Sequence, residues 1–223
     1  MAVELLSRQL SRVAIVDDQP ESRKSYSYTV EDAELEPVAE DGPLGSLDDY
    51  LRSRHISQYA DAALCDYRLG GRAYASFSGA QLVARWYKEN FPALLCTRWE
   101  KAQIEHIRPY RRWIPVLMTP DELTVDTLMD GLKECLFELN GNFRPHRRPW
   151  RTQVHFLSKD DDQRNTYFAE IPGWERNDVI RVSLTDLPQE VATMVRDDWR
   201  CHARANLGAE SPEELYLCDW ETR

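Results

Sequence analysis

The chain has no apolar run approaching the roughly 20 residues that a membrane-spanning helix needs, so no such span is expected. Its first ten residues, Met1 to Leu10, lack the basic region and apolar core of a signal peptide. Cysteine is scarce and carries no pairing pattern. Cys65, Cys96, Cys135, Cys201 and Cys218 are odd in number, dispersed and without a CxxC pair, so neither a disulfide framework nor a common zinc motif is indicated. Several sit in apolar runs, where a free thiol behaves as a small hydrophobe, and a reduced, cytoplasmic chain is expected. Positive charge is short as well. The 28 Lys and Arg face 38 Asp and Glu, a net charge of −10 that opposes broad attraction to nucleic acid or an anionic membrane. One basic, proline-containing stretch, Arg144-Pro145-His146-Arg147-Arg148-Pro149-Trp150-Arg151, stands apart and reads as a linker, with a nucleic-acid patch as the lesser alternative. Also missing are a P-loop, a nucleophile elbow and an HExxH motif, so no common enzyme class is indicated. What is present is 42% hydrophobic and 30% charged residue over 223 positions, an ordinary globular composition with room for one good-sized domain and a smaller one.

Up to about Asn140 short apolar runs alternate with amphipathic ones. Arg12-Val13-Ala14-Ile15-Val16 reads as a buried strand, and a polar stretch from Glu21 to Thr29 as a weak helix. Glu34 to Val38, interrupted by Pro37, suits an edge strand. Ser46 caps a helix with Asp48 and Asp49 in its first turn. Ala62 to Asp66 is the third strand, and Ser78 opens a helix with Leu82, Val83, Trp86 and Tyr87 at helical spacing. Ala93 to Thr97 and Ile114 to Met118 are strands four and five, separated by a helix over Lys101 to Ile107. Pro120 stands at the start of a long last helix through Leu123, Leu128, Leu132, Cys135, Leu136 and Leu139. Five strand-helix repeats predict an α/β fold, a doubly wound parallel sheet covered on both faces.

The chemistry follows from the strand ends. Asp17, Asp18, Asp66 and Thr97 fall at or just past the carboxyl ends of three strands, which in a parallel sheet share one edge. Three gathered carboxylates repel one another, and a hard divalent cation is the usual remedy. Magnesium beside a carboxylate nucleophile permits phosphoryl transfer to an aspartate.

In Ile15-Val16-Asp17-Asp18, Leu64-Cys65-Asp66, Ser78-Gly79, Leu95-Cys96-Thr97 and Thr119-Pro120, taken in order, residues from about 10 to 140 resemble the receiver domain of two-component response regulators. The resemblance implies a flavodoxin-like (βα)5 fold and a phosphoprotein acting in a phosphorelay. Asp66 would be the phosphoacceptor and Thr97 the switch hydroxyl. Asp17, Asp18, Asp66 and the backbone carbonyl of Arg68 would hold magnesium. A histidine kinase or phosphotransfer protein would be the partner, with homodimerisation left open. Two features depart from the family. Thr119 occupies the position of its lysine, and no aromatic residue lies in Ile114-Pro115-Val116-Leu117-Met118. Threonine can donate a hydrogen bond there but brings no charge. Arg68 and Arg98 are near enough in sequence to supply a cation instead, while Trp99 is bulky for a loop that must rearrange. The alternative these departures suggest is a phosphorylation-independent adaptor acting through protein contacts.

Beyond the linker, set at 142–151, the rhythm changes. Thr152 to Leu157, Thr166 to Ile171 and Val179 to Leu184 read as strands joined by turns at Lys159-Asp160-Asp161-Asp162 and Pro172-Gly173. A helix from Pro188 through Val191, Met194, Val195 and Trp199 follows, then a strand over Leu215 to Trp220. Residues 1–141 are thus expected to form the receiver-like domain, and 152–223 a small α+β effector or interaction domain with an unidentified protein target. No enzymatic motif is present beyond the phosphoryl chemistry of the first domain. A zinc site from His155, Cys201, His202 and Cys218 fits no common spacing.

Overall fold

The computed structural model describes residues 3–98, 106–212 and 214–222, apart from the side chains of Arg176 and Asn177. Trp99 and most of the helix expected over Lys101 to Ile107 lie outside the described residues. Two compact units emerge: residues 1–99 with 113–142, and residues 100–112 with 143–223.

The first unit is built on five parallel strands. They are β3 (Arg12–Val16), β4 (Glu36–Ala39), β5 (Ala62–Cys65), β6 (Ala93–Cys96) and β7 (Leu117–Met118), in the spatial order β4-β3-β5-β6-β7. Counted within the sheet this is 2-1-3-4-5, the flavodoxin-like doubly wound order, whose direction of winding reverses between β3 and β5. The expected α/β architecture is therefore present. Strands β5 and β6 are buried at every position, as continuous apolar runs between two helical layers must be. On one face α1 (Pro20–Asp32) and α4 (Val125–Leu139) pack Tyr26, Val30, Leu128, Leu132 and Leu136 against Val13, Ile15, Leu64 and Leu94. The other face carries α2 (Leu47–Ser53) and α3 (Gly79–Lys88), where Trp86 is fully buried with Tyr50 and Phe91 around it. Ser46 caps α2 by accepting from Asp49 N, and Ser78 with Gln81 forms a reciprocal capping box on α3.

Three local expectations change. A hairpin of β1 (Val3–Leu5) and β2 (Arg8–Leu10) precedes the sheet, turning through Leu6 and Ser7 at positive φ without the Asn-Gly signal that marks such turns. The last helix does not start at Pro120. A single tight turn over Pro120–Glu122 comes first, and α4 begins only after Thr124, whose hydroxyl accepts from Thr127 N. The fifth strand is reduced to two residues beyond Pro115 and Val116.

The second unit is one antiparallel sheet of β8 (Trp150–Lys159), β9 (Thr166–Ile171), β10 (Glu175–Ser183), β11 (Trp199–Ala205) and β12 (Leu217–Glu221), in the order β10-β9-β8-β11-β12. The helix expected from Pro188 to Trp199 stops after four residues as α5 (Gln189–Ala192). Trp199 instead opens β11, where Trp199, Cys201, Ala203 and Ala205 are buried and Arg200 and Arg204 exposed. That alternation has period two, and it outweighs the helical spacing of Val191, Val195 and Trp199.

The basic stretch at 142–151 is not a free linker either. Arg147 is buried, its guanidinium donates to the carbonyls of Arg111 (3.0 Å) and Arg112 (3.1 Å), and Trp150 already belongs to β8. Fully buried Asn206 donates to His146 O at 2.9 Å and accepts from Tyr216 N at 2.8 Å. No helix among the described residues is long and apolar enough to cross a membrane.

Candidate functional site

Register carries the acidic residues to one place. Val16 pairs with Cys65 across β3 and β5, so Asp17 and Asp66 leave neighbouring strands side by side, at the point where the winding reverses and open sheets bind ligands. Cys65 pairs in turn with Leu95 on β6, which delivers Thr97 to the same edge. The result is a crevice of about 1220 Å³ whose walls include Asp17, Asp18, Asp66, Arg68, Thr97 and Arg98. Five of the six residues proposed for the site from sequence are thus together.

Asp17, Asp18 and Thr97 are buried, and Asp66 is half-buried. Burial, reinforced by the charges of Asp66 and Asp18, pushes the Asp17 carboxyl up to about 7, against one bond from Gln19 N at 2.7 Å. Burial pushes Asp66 up to about 6, opposed by bonds from the backbone of Arg68 and Tyr67 and from the Thr97 hydroxyl. The Arg68 N–H donates to Asp66 Oδ2 at 2.8 Å. Asp18 faces the loop that follows β5: its Oδ2 accepts from Gly71 N at 2.5 Å. A Cβ at Gly71 would lie 2.4 Å from that oxygen, so glycine is required by the closeness of the approach. Gly79 is more constrained still, since a Cβ there would stand 1.8 Å from the Asp66 carbonyl oxygen. The Ser78-Gly79 pair therefore lets α3 start directly against the acidic strand end.

Thr119 is the sixth residue, and it is not in the crevice wall. Its N–H and hydroxyl both donate to Glu122 Oε2, at 2.7 and 3.0 Å, capping the turn at Pro120. The same turn instead brings Asp121 into the wall, so the side where the resemblance would place a lysine carries a carboxylate. Sequence reading also passed over Arg23, which donates to the Asp17 carbonyl and lies 5.6 Å from the Tyr74 ring centroid, and Glu21 and Tyr26, which line the crevice from α1. Their helical position one and two turns past Asp17 was the available signal.

Among the described residues no three His, Cys, Asp or Glu side chains are gathered as a ready-made metal cage. In the crevice one oxygen of each of Asp17, Asp66 and Asp18 accepts from a nearby N–H. Each carboxylate oxygen keeps a further lone pair, and magnesium ordinarily retains several waters and needs only one or two carboxylates. Two carboxyls raised by crowding and burial give a cation something to relieve. The donor set fits a hard divalent ion. Elsewhere, Asp160 of the acidic turn accepts from Arg181 Nε at 2.7 Å, and His155 lies 2.7 Å from Asp198 and 3.5 Å from Glu170.

No protein-family model matches the sequence, and no curated protein resembles it at a significant level. Solved structures are similar to part of the chain at low identity. A response regulator receiver domain protein from Clostridium thermocellum shares 12% identity over 59% of this chain and 98% of its own, with a TM-score of 0.45. The signal receiver domain of a modulated diguanylate cyclase from Desulfovibrio desulfuricans G20 shares 17% identity over 59% of this chain and 97% of its own, with a TM-score of 0.46. A receiver domain protein from Methanospirillum hungatei JF-1 also shares 17% identity, over 59% and 98% of the two chains, with a TM-score of 0.43.

Proposed function

We propose that this is a response-regulator-like signalling protein whose crevice accepts a phosphoryl group on Asp66 and thereby controls the C-terminal unit. The observation that carries the reading is the in-register delivery of Asp17, Asp66 and Thr97 to one edge of the sheet, at its reversal point. Asp17, Asp18 and the Arg68 carbonyl are the groups that would hold magnesium, which supplies charge neutralisation for the incoming phosphoryl oxygens.

The nucleophile is an Asp66 carboxylate oxygen. At pH 7 a carboxyl titrating near 6 is largely ionised, and the Arg68 N–H at 2.8 Å holds Oδ2. In the transfer, Asp66 forms an oxygen–phosphorus bond while the bond from phosphorus to the donor imidazole nitrogen breaks. The nitrogen leaves with the electron pair, and because the other ring nitrogen of the phosphohistidine is protonated when it departs, the partner histidine returns to neutral imidazole. A histidine kinase or phosphotransfer protein is the donor class. Arg68 and Arg98 line the crevice wall, and they are the cations that would approach the new phosphoryl oxygens. The chain acts as a cytoplasmic regulator on a protein target rather than as an enzyme with its own substrate.

A second reading has a specific observation behind it. Thr119 is committed to Glu122, and Asp121 lines the wall in its place, which suits an adaptor that never carries the phosphoryl group. Acetyl phosphate with magnesium decides between them. Intact-mass spectrometry should show one added phosphoryl group in the wild type and none in Asp66→Asn. An unmodified wild type, with no change in amide resonances around Asp66 on adding beryllofluoride, favours the adaptor.

A further inference from the structure

We propose that Arg23 is a positioning residue for the crevice, holding the backbone of Asp17 and Asp18 in place for cation binding. The inference rests on the reading of that crevice as a phosphoryl and cation site. Arg23 stands one turn into α1, behind the crevice walls rather than among them, and its side chain is only 12% exposed. Gln19, where α1 starts, makes no capping bond with its side chain. The turn that carries the two acids is held by the Gln19 N–H on Asp17 Oδ1, at 2.7 Å, and by the Arg23 guanidinium on the Asp17 carbonyl.

The guanidinium reaches three stretches of chain at once. Nη1 donates to the Asp17 carbonyl after β3, and Nη2 to Asp41 Oδ1 after β4 at 3.2 Å. Its central carbon lies 5.6 Å from the ring centroid of Tyr74, in the loop after β5. Tyr74 is buried, its hydroxyl donating to Glu40 O at 2.7 Å and its N–H to Gly71 O at 2.9 Å. The Gly71 N–H donates in turn to Asp18 Oδ2. These contacts close a ring that runs from Asp17 through Arg23, Tyr74, Gly71 and Asp18, and back to Asp17 by the peptide bond. Arg23 holds the carbonyl of the first acid and Gly71 the carboxylate of the second, so their relative placement is set from both sides. Asp41 is 85% exposed, and an ion pair that open contributes little, so the carbonyl and the ring are the contacts that matter. A planar fork of fixed donors can serve two acceptors while its face meets a ring; the lysine ammonium, a point charge on a flexible stem, cannot. The charge itself works in the other direction, because a cation bonded to the backbone of Asp17 opposes a divalent ion beside it. Positioning and simple electrostatics therefore predict opposite signs when Arg23 is removed.

Magnesium titration of the full chain, followed by the amide resonances of Gln19, Arg68 and Gly71, tests this. In Arg23→Gln the half-saturating magnesium concentration should rise about tenfold, the usual cost of losing a group that orients a metal ligand. Arg23→Lys, which keeps the charge but not the fork, should raise it at least about threefold, and it carries the test should the glutamine variant fail to fold. Labelling of Asp66 by acetyl phosphate should then need correspondingly more magnesium, while its rate at saturating magnesium stays within about twofold of wild type. Arg52→Gln removes an exposed charge from α2 and should leave half-saturation unchanged. Unaltered or tighter magnesium binding in either Arg23 variant, or a loss confined to the saturated rate, overturns the inference and leaves the proposed function standing. A wild type whose resonances do not respond to magnesium overturns the proposed site, and the inference with it.

Discussion

Replacing Asp17 by asparagine should stabilise the protein at alkaline pH, an unusual outcome for a buried polar residue at the heart of a site. The carboxyl titrates near 7 in the folded protein against an ordinary 3.8, so folding favours its protonated form. The sign follows directly: the folded state binds the extra proton, so stability falls as pH rises from about 4 to about 7, and the penalty is complete above 7. At about 1.4 kcal/mol for each pH unit between the two values, the ceiling is about 4 kcal/mol. The crevice is open to water, which roughly halves this, leaving about 2 kcal/mol. The introduced carboxamide keeps an oxygen for the Gln19 N–H, at 2.7 Å in the wild type, and removes the negative charge facing Asp66 and Asp18. Urea denaturation in EDTA should therefore show Asp17→Asn more stable than wild type by about 2 kcal/mol at pH 8, with the gap reduced by more than half at pH 5. Magnesium should narrow the gap at pH 8, since it relieves the wild-type crowding and the variant has lost a ligand. A variant less stable than wild type at pH 8, or a gap indifferent to pH, refutes the electrostatic account of the crevice.

Gly79→Ala should cost more than about 3 kcal/mol in a thermal melt, because the new methyl meets the Asp66 carbonyl at 1.8 Å and the backbone cannot yield. Gly70→Ala, with open space at its Cβ, should stay within about 0.5 kcal/mol and serves as the control. Arg98→Ala should slow labelling by acetyl phosphate about tenfold, the worth of a charge-assisted hydrogen bond, whereas Thr119→Ala should change it less than about twofold; the reverse order would return Thr119 to the site. Phe156→Ala should destabilise the C-terminal unit by about 4 kcal/mol, read as an earlier denaturant transition, since its fully buried ring stacks on Trp199 with centroids 5.7 Å apart.

The place of residues 106–112 in the second unit alters how the molecule should be dissected. Cutting after Asn142 leaves the fragment 143–223 without residues 106–112, and so without the carbonyls of Arg111 and Arg112 that Arg147 requires. A fragment expressed from the apparent domain boundary is therefore expected to be less stable than the same unit in the full chain, which differential melting of the two would show.

The parallel sheet, its acidic edge and most helix starts are legible in the chain alone. Arg12–Val16, Ala62–Cys65 and Ala93–Cys96 are apolar runs that end in Asp17, Asp66 and Thr97, and Ser46 and Ser78 announce their helices through capping bonds made within four residues. Those signals are local: periodicity, a cap, a chain terminus of a strand. The remaining features depend on partners distant in the chain. Trp199–Ala205 could serve a helix or a strand until β8 and β12 were there to pair with it. Arg147 reads as a linker charge until the carbonyls of residues 35 and 36 positions away accept its protons. Thr119 was placed by a turn that Glu122 closes, and Asp18 by an N–H 53 residues distant. A buried polar group is positioned by whichever partner satisfies it, and that partner is named by the fold rather than by its neighbours in the chain.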